Sequence, residues 1–313
     1  MAYDLVIIGG GPAGMSAGLY AARGLLKTLI IEKEKEGGQI VTTNELENYP
    51  GGLGDSGPSV TKRMKEQCDA FDVEFKRADV VDMDFSQKMK KVILKDGSEI
   101  ESKAVIIATG ATPRKMNIPG EKEFTGKGVS YCATCDAAFM EGLEVFVVGG
   151  GNSAVEEATY LAKFARKVTV VVRGDTFDCD KVALMRAKET ENLEFLMNTS
   201  ITEVRGDGLV ESIVLKNNET GEETVHEADE DDGTFGVFVF IGYLPQAEVF
   251  KGHVELNEWG YIVSDENMHT DVDGVFVAGD VRNKNLRQVI TAAADGAIAA
   301  TEAEKYIDKN FES

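Results

Sequence analysis

Leu5-Val6-Ile7-Ile8-Gly9-Gly10-Gly11-Pro12-Ala13-Gly14 is the stretch on which the fold turns. Four consecutive apolar residues suit a strand buried on both faces of a parallel sheet, where polar alternation has no place. The Gly-x-Gly-x-x-Gly that follows permits a tight turn and brings backbone against a pyrophosphate at the N-terminus of the next helix. Residues 15–23, rich in Ala, Leu and Met, predict that helix. Thr28-Leu29-Ile30-Ile31 predicts a second strand, which delivers Glu32 eighteen residues after Gly14. A carboxylate there accepts hydrogen bonds from a ribose hydroxyl. Strand, glycine triplet, helix, strand and acid, in that order, describe a dinucleotide-binding unit rather than a plain glycine turn.

The same design returns at an offset of 140 residues, with Val145-Phe146-Val147-Val148 running into Gly149-Gly150-Gly151-Asn152-Ser153-Ala154. The register persists: Tyr20 maps to Tyr160, Ala22 to Ala162, and the second strand of the copy ends at Val172, eighteen residues after Ala154. Two units in matching register make this an internal duplication of a nucleotide fold. The copies differ at the ribose. Glu32 has Val172 as its counterpart, followed by Arg173. The acid favours a free ribose hydroxyl and so FAD, whereas a basic residue receives a 2′-phosphate. Asp175, Asp178 and Asp180 crowd the same loop and oppose a phosphate, so a salt-bridge role for Arg173 stands beside the nucleotide role.

Between the two units lies Tyr131-Cys132-Ala133-Thr134-Cys135-Asp136, which holds two of the chain's four cysteines. Thiols at that spacing close a small disulfide ring, and the neighbouring acid supplies or removes the accompanying proton. The competing reading is half of a zinc site, which needs two further Cys or His at matched spacing. Cys68 and Cys179 are isolated and His226, His253 and His269 are scattered. No metal is therefore expected.

Thirty-three basic against 54 acidic residues give a net charge of −21, which opposes nucleic acid and anionic membrane surfaces alike. With 43% hydrophobic and 28% charged residues the chain reads as globular. Its N-terminus enters the first strand without a basic leader, and no apolar run approaches the ~20 residues of a spanning helix. A cytoplasmic location is expected, where a paired Cys-x-x-Cys is catalytic rather than structural.

Elsewhere the pattern predicts irregular chain over residues 37–52, an amphipathic helix over 59–71 and short strands over 73–100. A buried strand over 104–110 ends in Thr109-Gly110, and a helix is expected over 180–191. Residues 219–232, with eight acids among fourteen positions, read as a solvated loop. A strand over 274–280 ends in Gly279-Asp280, and an Ala-rich helix covers 290–306. Asp280 either holds a flavin's ribitol chain or caps a helix.

Together these residues resemble the low-molecular-weight thioredoxin reductases along essentially the whole chain. The resemblance rests on Gly9 to Gly14, Gly37-Gly38-Gln39, Cys132-Ala133-Thr134-Cys135-Asp136, Gly149 to Ala154, and Gly279-Asp280-Val281 with Arg287-Gln288. It implies an α/β fold of two Rossmann-like, three-layer ββα dinucleotide-binding domains, the second inserted into the first. The FAD domain would comprise residues 1–114 and 243–313, and residues 115–242 the pyridine-nucleotide domain with the dithiol. Carried over, Cys135 faces the flavin, Cys132 attacks the disulfide of thioredoxin, and Asp136 is the general acid or base. FAD falls to Gly9, Gly11, Pro12, Ala13, Gly14, Glu32, Lys33, Gly38, Gln39, Asn48, Thr109, Gly110, Gly279, Asp280, Arg287, Gln288 and Val289. The second nucleotide, NADPH or NADH, falls to Gly149, Gly151, Asn152, Ser153, Ala154 and Arg173. A homodimer and domain rotation, with hinges near residues 112–120 and 242–246, are also implied. NADPH-specific members carry His-Arg-Arg-x-x-x-Arg where this chain has Val172-Arg173-Gly174-Asp175-Thr176-Phe177-Asp178. Two of three arginines are missing, which leaves NADH, weakly used NADPH, reduced ferredoxin or a deazaflavin as donors. A related flavin dithiol oxidase shares the same core.

Overall fold

The computed structural model describes residues 2–43, 46 and 48–311. Asn44, Glu45 and Glu47, within the stretch read as irregular, lie outside the described residues, as do Met1, Glu312 and Ser313. The chain packs as two units, Met1–Thr112 with Leu244–Ser313, and Pro113–Tyr243.

The first unit begins with β1 (Ala2–Ile8), α1 (Pro12–Arg23), β2 (Thr28–Glu32) and α2 (Gly57–Asp69). It continues through β3 (Glu74–Arg77), β4 (Val80–Asp84), β5 (Lys90–Leu94), β6 (Glu99–Ile107) and β7 (Ala111–Pro113). The second unit holds β8 (Val129–Ser130), α3 (Ala133–Asp136), β9 (Glu144–Val148), α4 (Asn152–Leu161), β10 (Lys167–Val171), α5 (Lys181–Lys188) and β11 (Leu193–Leu196). It ends with β12 (Thr199–Arg205), β13 (Ser212–Asn217), β14 (Glu223–Glu227) and β15 (Gly236–Val239). The chain then returns through β16 (Tyr243–Pro245), β17 (Val275–Val277) and α6 (Val289–Phe311). The two crossings, β7 and β16, form a two-stranded sheet of their own.

In the first unit the strand order is β3-β2-β1-β6-β5-β4, with β17 also on β6. β1, β2, β3, β6 and β17 are parallel, β5 runs antiparallel to β6, and β4 runs antiparallel to β5. Successive side chains of a strand face opposite sides. Leu5 and Ile7 accordingly pack with Ala17 of α1 and Ala299 of α6, whereas Val6 and Ile8 pack with Met83, Val92 and Phe250. Helix, parallel sheet and antiparallel meander are the three layers. The second unit repeats them: β11-β10-β9-β15-β8 is parallel throughout, with α4 residues against one face and the antiparallel β12-β13-β14 against the other. This is a Rossmann-like α/β architecture built twice.

Two expectations need correction. Residues 38–42 are not irregular: Gly37 and Gly38, at φ +120° and +65°, start a 3-10 helix over Gly38–Thr42, and Gly57 N–H at the start of α2 ties down Thr43 O at 2.9 Å. The acidic stretch is not all loop either. A turn closed by Asn217 N–H on Glu222 O at 2.9 Å sends Glu223–Glu227 back antiparallel to β13 as an edge strand. Backbone pairing there outweighs composition, and acids on an exposed edge discourage further strand addition. Among the described residues no helix is long and apolar enough to cross a membrane.

Candidate active site and nucleotide cradles

Cys132 and Cys135 form a disulfide with Cα atoms 5.3 Å apart. Cys132 lies in extended conformation (φ −144°, ψ 104°) just ahead of α3, and Asp136 N–H closes the first turn on Cys132 O at 3.2 Å. A single helical turn thus supplies the i to i+3 separation the ring needs. Both cysteines are half-buried, Thr134 is exposed and Thr134 Oγ1 sits 3.4 Å from Cys132 Sγ. Among the described residues no group of three or more His, Cys, Asp or Glu is placed to hold a metal ion.

Asp136 turns back under this ring to Ser130 Oγ at 2.5 Å. Partial burial raises its carboxyl above the ordinary range, and the Ser130 hydrogen bond opposes that rise. On the other side of the ring the Tyr131 hydroxyl donates to buried Glu121 Oε1 at 2.8 Å, and burial together with Glu121 holds that phenol well above its usual pKa. Glu121 also takes the N–H groups of Met116 and Asn117, at 2.8 and 2.7 Å. Tyr243 OH donates to Tyr131 O at 3.1 Å. Both strands of chain that lead out of this unit are therefore tied to the residue before Cys132.

The first glycine loop is shaped by closeness. A Cβ at Gly14 would stand 1.9 Å from Gly9 O, so only glycine lets α1 start this near β1. Gly11, the N-cap of α1, faces Gly38 across the loop, with Pro12 and Ala13 opening the helix. Glu32 takes Gly10 N–H at 2.6 Å and Glu34 N–H at 2.9 Å, which fixes its carboxylate beside the loop. Gln39 lies in the 3-10 helix, Asn48 Nδ2 donates to Gln288 Oε1 at 3.1 Å, and the Arg287 guanidinium lies 4.4 Å from the Tyr261 ring centre. Thr109 Oγ1 donates to Gln246 O at 2.6 Å, and Gly110 O accepts from Gln246 N–H. Val289 opens α6. Lys33 stands apart, exposed and 3.8 Å from Asp79.

Asp280 sits in a 3-10 turn, Gly279–Val281, eight residues and a loop before α6, so it caps no helix. Its Oδ1 is buried and meets no hydrogen-bond partner among the described residues, and burial pushes its carboxyl up to about 6 against the pull of Lys284 and Arg287. An orphaned, buried acceptor beside a glycine cradle fits a polyhydroxyl chain that would donate to it. Asp295, 7% exposed on α6, fixes this turn by accepting Gly279 N–H at 3.0 Å and Lys284 Nζ at 2.8 Å. A lone acid within the Ala-rich run 292–300 was the sequence signal for it.

In the second copy a Cβ at Gly149 would stand 2.3 Å from Phe240 O, and Gly151 caps α4. The loop after β10 folds onto the glycines: Asp178 N–H donates to Gly150 O at 2.9 Å and Asp180 N–H to Asn152 Oδ1 at 2.6 Å. Ser153 is exposed and Ala154 buried. Arg173 is exposed, and no ion pair is found for it among the described residues. Its carbonyl is held by Asn218 Nδ2 at 2.8 Å, and a side chain at Gly174 would meet open space.

The model of the family described as pyridine nucleotide-disulphide oxidoreductase matches residues 3–296. The thioredoxin reductase of Peptoclostridium acidaminophilum is 57% identical over 311 residues, 99% of this chain and 98% of the relative. That of Bacillus subtilis is 43% identical over 308 residues, 98% of this chain and 95% of the relative. The crystal structure of thioredoxin reductase from Streptococcus pyogenes superposes with a TM-score of 0.92 at 41% identity, covering 98% of this chain and 99% of that one. The chain belongs to the pyridine nucleotide-disulphide oxidoreductase family, within its thioredoxin reductase branch. It is an oxidoreductase of a family that uses a flavin and a nicotinamide nucleotide.

Asp280 gives a direct check of the first cradle. Its folded pKa of about 6 exceeds the ordinary 3.8, so this group's contribution to apoprotein stability is full below about pH 4 and lost as pH rises to 6. Asp280→Asn is expected to stabilise the apoprotein at pH 7.5 by about 1–3 kcal/mol while weakening flavin binding at least tenfold. Denaturant unfolding of apoprotein and fluorescence titration with FAD measure the two effects, and a variant that loses stability and keeps affinity contradicts the assignment.

Proposed function

We propose that this protein is a thioredoxin reductase in which Cys132 and Cys135 relay electron pairs from a bound FAD to thioredoxin. The observation that carries it is the Cys132–Cys135 disulfide on one helical turn beside half-buried Asp136. In the domain of residues 1–114 and 243–313, the amide-lined loop Gly9, Gly11, Pro12, Ala13 and Gly14 receives the FAD pyrophosphate, Glu32 with Lys33 nearby the adenosine ribose, and Asp280 the ribitol chain. Gly38, Gln39, Asn48, Thr109, Gly110, Gly279, Arg287, Gln288 and Val289 complete the enclosure. When bound, the flavin supplies the electron pair that opens the disulfide.

The reduced pair then acts by thiol–disulfide exchange. Cys132 thiolate attacks one sulfur of the thioredoxin disulfide, forming a mixed disulfide and releasing the other sulfur as a thiolate. Asp136 takes the Cys132 proton and returns it to the departing sulfur. Cys135 thiolate attacks Cys132 Sγ, which restores the internal disulfide and releases the second thioredoxin thiol. Two electrons leave the protein and two protons accompany them. The cytoplasm, where thiols are kept reduced, suits this chemistry. A homodimer completes the reading, supported by exposed Tyr20 on α1 and Ile290 and Ile298 on α6; a light-scattering mass near the 33.9 kDa of one chain would remove this part.

The domain of residues 115–242 takes the nicotinamide donor over Gly149, Gly151, Asn152, Ser153 and Ala154, with Arg173 at the ribose. Asp175, Asp178 and Asp180 share that loop, and each charged hydrogen bond missing from a 2′-phosphate costs about 1.5–3 kcal/mol. NADPH is accordingly not the preferred donor. Steady-state thioredoxin reduction should favour NADPH over NADH by less than tenfold in kcat/KM. Gly174→Arg with Asp178→Arg should raise the NADPH:NADH ratio at least tenfold, since a side chain added at Gly174 would enter open space. A wild-type preference above tenfold for NADPH refutes the donor assignment.

Cys135→Ser should retain FAD and lose thioredoxin reduction by at least a thousandfold, because the internal disulfide cannot reform. Turnover above a few per cent of wild type in a coupled thioredoxin assay would overturn the roles of the two thiols.

A further inference from the structure

Ser130 carries no motif signature, yet its side chain joins the backbone of Cys132 to Asp136. It is the last residue of β8, paired with Phe238 of β15, and 6% exposed. Its Oγ lies 2.5 Å from Asp136 Oδ2, accepts Cys132 N–H at 3.1 Å and stands 3.3 Å from Cys132 O. A hydroxyl has one hydrogen to give, and the carboxylate is both nearer and the stronger acceptor. Hydrogen-bond donation therefore runs in one direction, from Cys132 N–H to Ser130 and from Ser130 O–H to Asp136. The backbone of the attacking cysteine and the acid are joined through this one side chain.

Asp136 has no other side-chain hydrogen bond or ion pair among the described residues. The 3-10 turn Ala137–Met140 and the neighbouring strand β15 bring no charged residue to it. α4, which packs on α3, carries Glu156 and Glu157, and neither exerts a resolved charge effect at Asp136. The thiols of Cys132 and Cys135, once reduced, are further titratable groups in the same turn. Among the described residues, Ser130 is the group found to favour the ionised carboxylate against partial burial.

We propose that Ser130 is a positioning residue that holds Asp136 ionised and aligned with Cys132, so that Asp136 can take the Cys132 proton as that sulfur attacks a disulfide. The exchange balances within the pair. The Cys132 S–H bond breaks and its proton moves to Asp136; the sulfur–sulfur bond to substrate forms as the substrate's own disulfide breaks; the proton then passes to the departing sulfur. Ser130 stays bonded to the carboxylate throughout and changes no oxidation state. The inference rests on the dithiol roles assigned under the thioredoxin reductase reading.

The test uses reduced, FAD-loaded enzyme and follows alkylation of Cys132 by iodoacetamide against pH, by mass spectrometry. In Ser130→Ala the acidic limb should move up by about one pH unit, so that alkylation measured on that limb slows about five- to tenfold. Ser130→Thr, which keeps the hydroxyl, should recover to within about threefold. In an Asp136→Asn background Ser130→Ala should add no further loss. An unshifted limb in Ser130→Ala, failure of Thr to recover, or an additive loss in the double variant each overturns the proposal. Alkylation needs no thioredoxin, so a wild-type enzyme that fails to reduce thioredoxin refutes the functional reading while leaving this profile to decide on Ser130.

Discussion

The close approach of Gly14 to the carbonyl of Gly9, where a Cβ would have 1.9 Å, is the constraint from which the rest of the first unit follows. It brings the start of α1 onto the end of β1, so that the unpaired amides of the helix and its positive dipole end converge on one loop. A second approach, at Gly296 of α6 against Ala13 O at a Cβ distance of 2.1 Å, packs α6 across the same helix start and carries the Asp295 carboxylate to the Gly279–Val281 turn. Asp280 is thereby held buried, with its Oδ1 meeting no hydrogen-bond partner among the described residues. A buried acceptor of this kind suits a ligand that brings its own hydrogen-bond donors.

In the second unit the same backbone is used for other chemistry. Gly149 is pressed on Phe240 O, and the loop after β10 is stitched to the glycines by Asp178 and Asp180 backbone amides. What changes is charge: Glu32 in one copy, Val172 and Arg173 amid aspartates in the other. Just ahead of this second strand-turn-helix, β8 and α3 present the disulfide, with Ser130 below it and Tyr131 bound to Glu121 and Tyr243. The redox ring is thus flanked by hydrogen-bonded residues while both cysteines stay half-buried.

Both nucleotide folds and the dithiol were legible in the sequence because each is a local pattern: an apolar run, glycines at fixed offsets, two cysteines three positions apart. The features that were not legible depend on partners far along the chain. Ser130 becomes a site residue through Asp136, Asp295 through Gly279 and Lys284, and Glu121 through Tyr131. The strand Glu223–Glu227 was hidden by its acids, since its stability comes from β13 and a turn rather than from its own residues. Arg173, by contrast, was visible, as an exposed base at the end of the second strand of the copy.

The central claim is that the Cys132–Cys135 pair and a bound flavin form one electron-storing unit. Anaerobic reductive titration of the FAD-loaded protein with dithionite, followed by flavin absorbance, tests it most directly. About four electrons per chain are expected, two for the flavin and two for the disulfide. Uptake of about two electrons, with Cys132 and Cys135 still joined in the fully bleached protein, would contradict it.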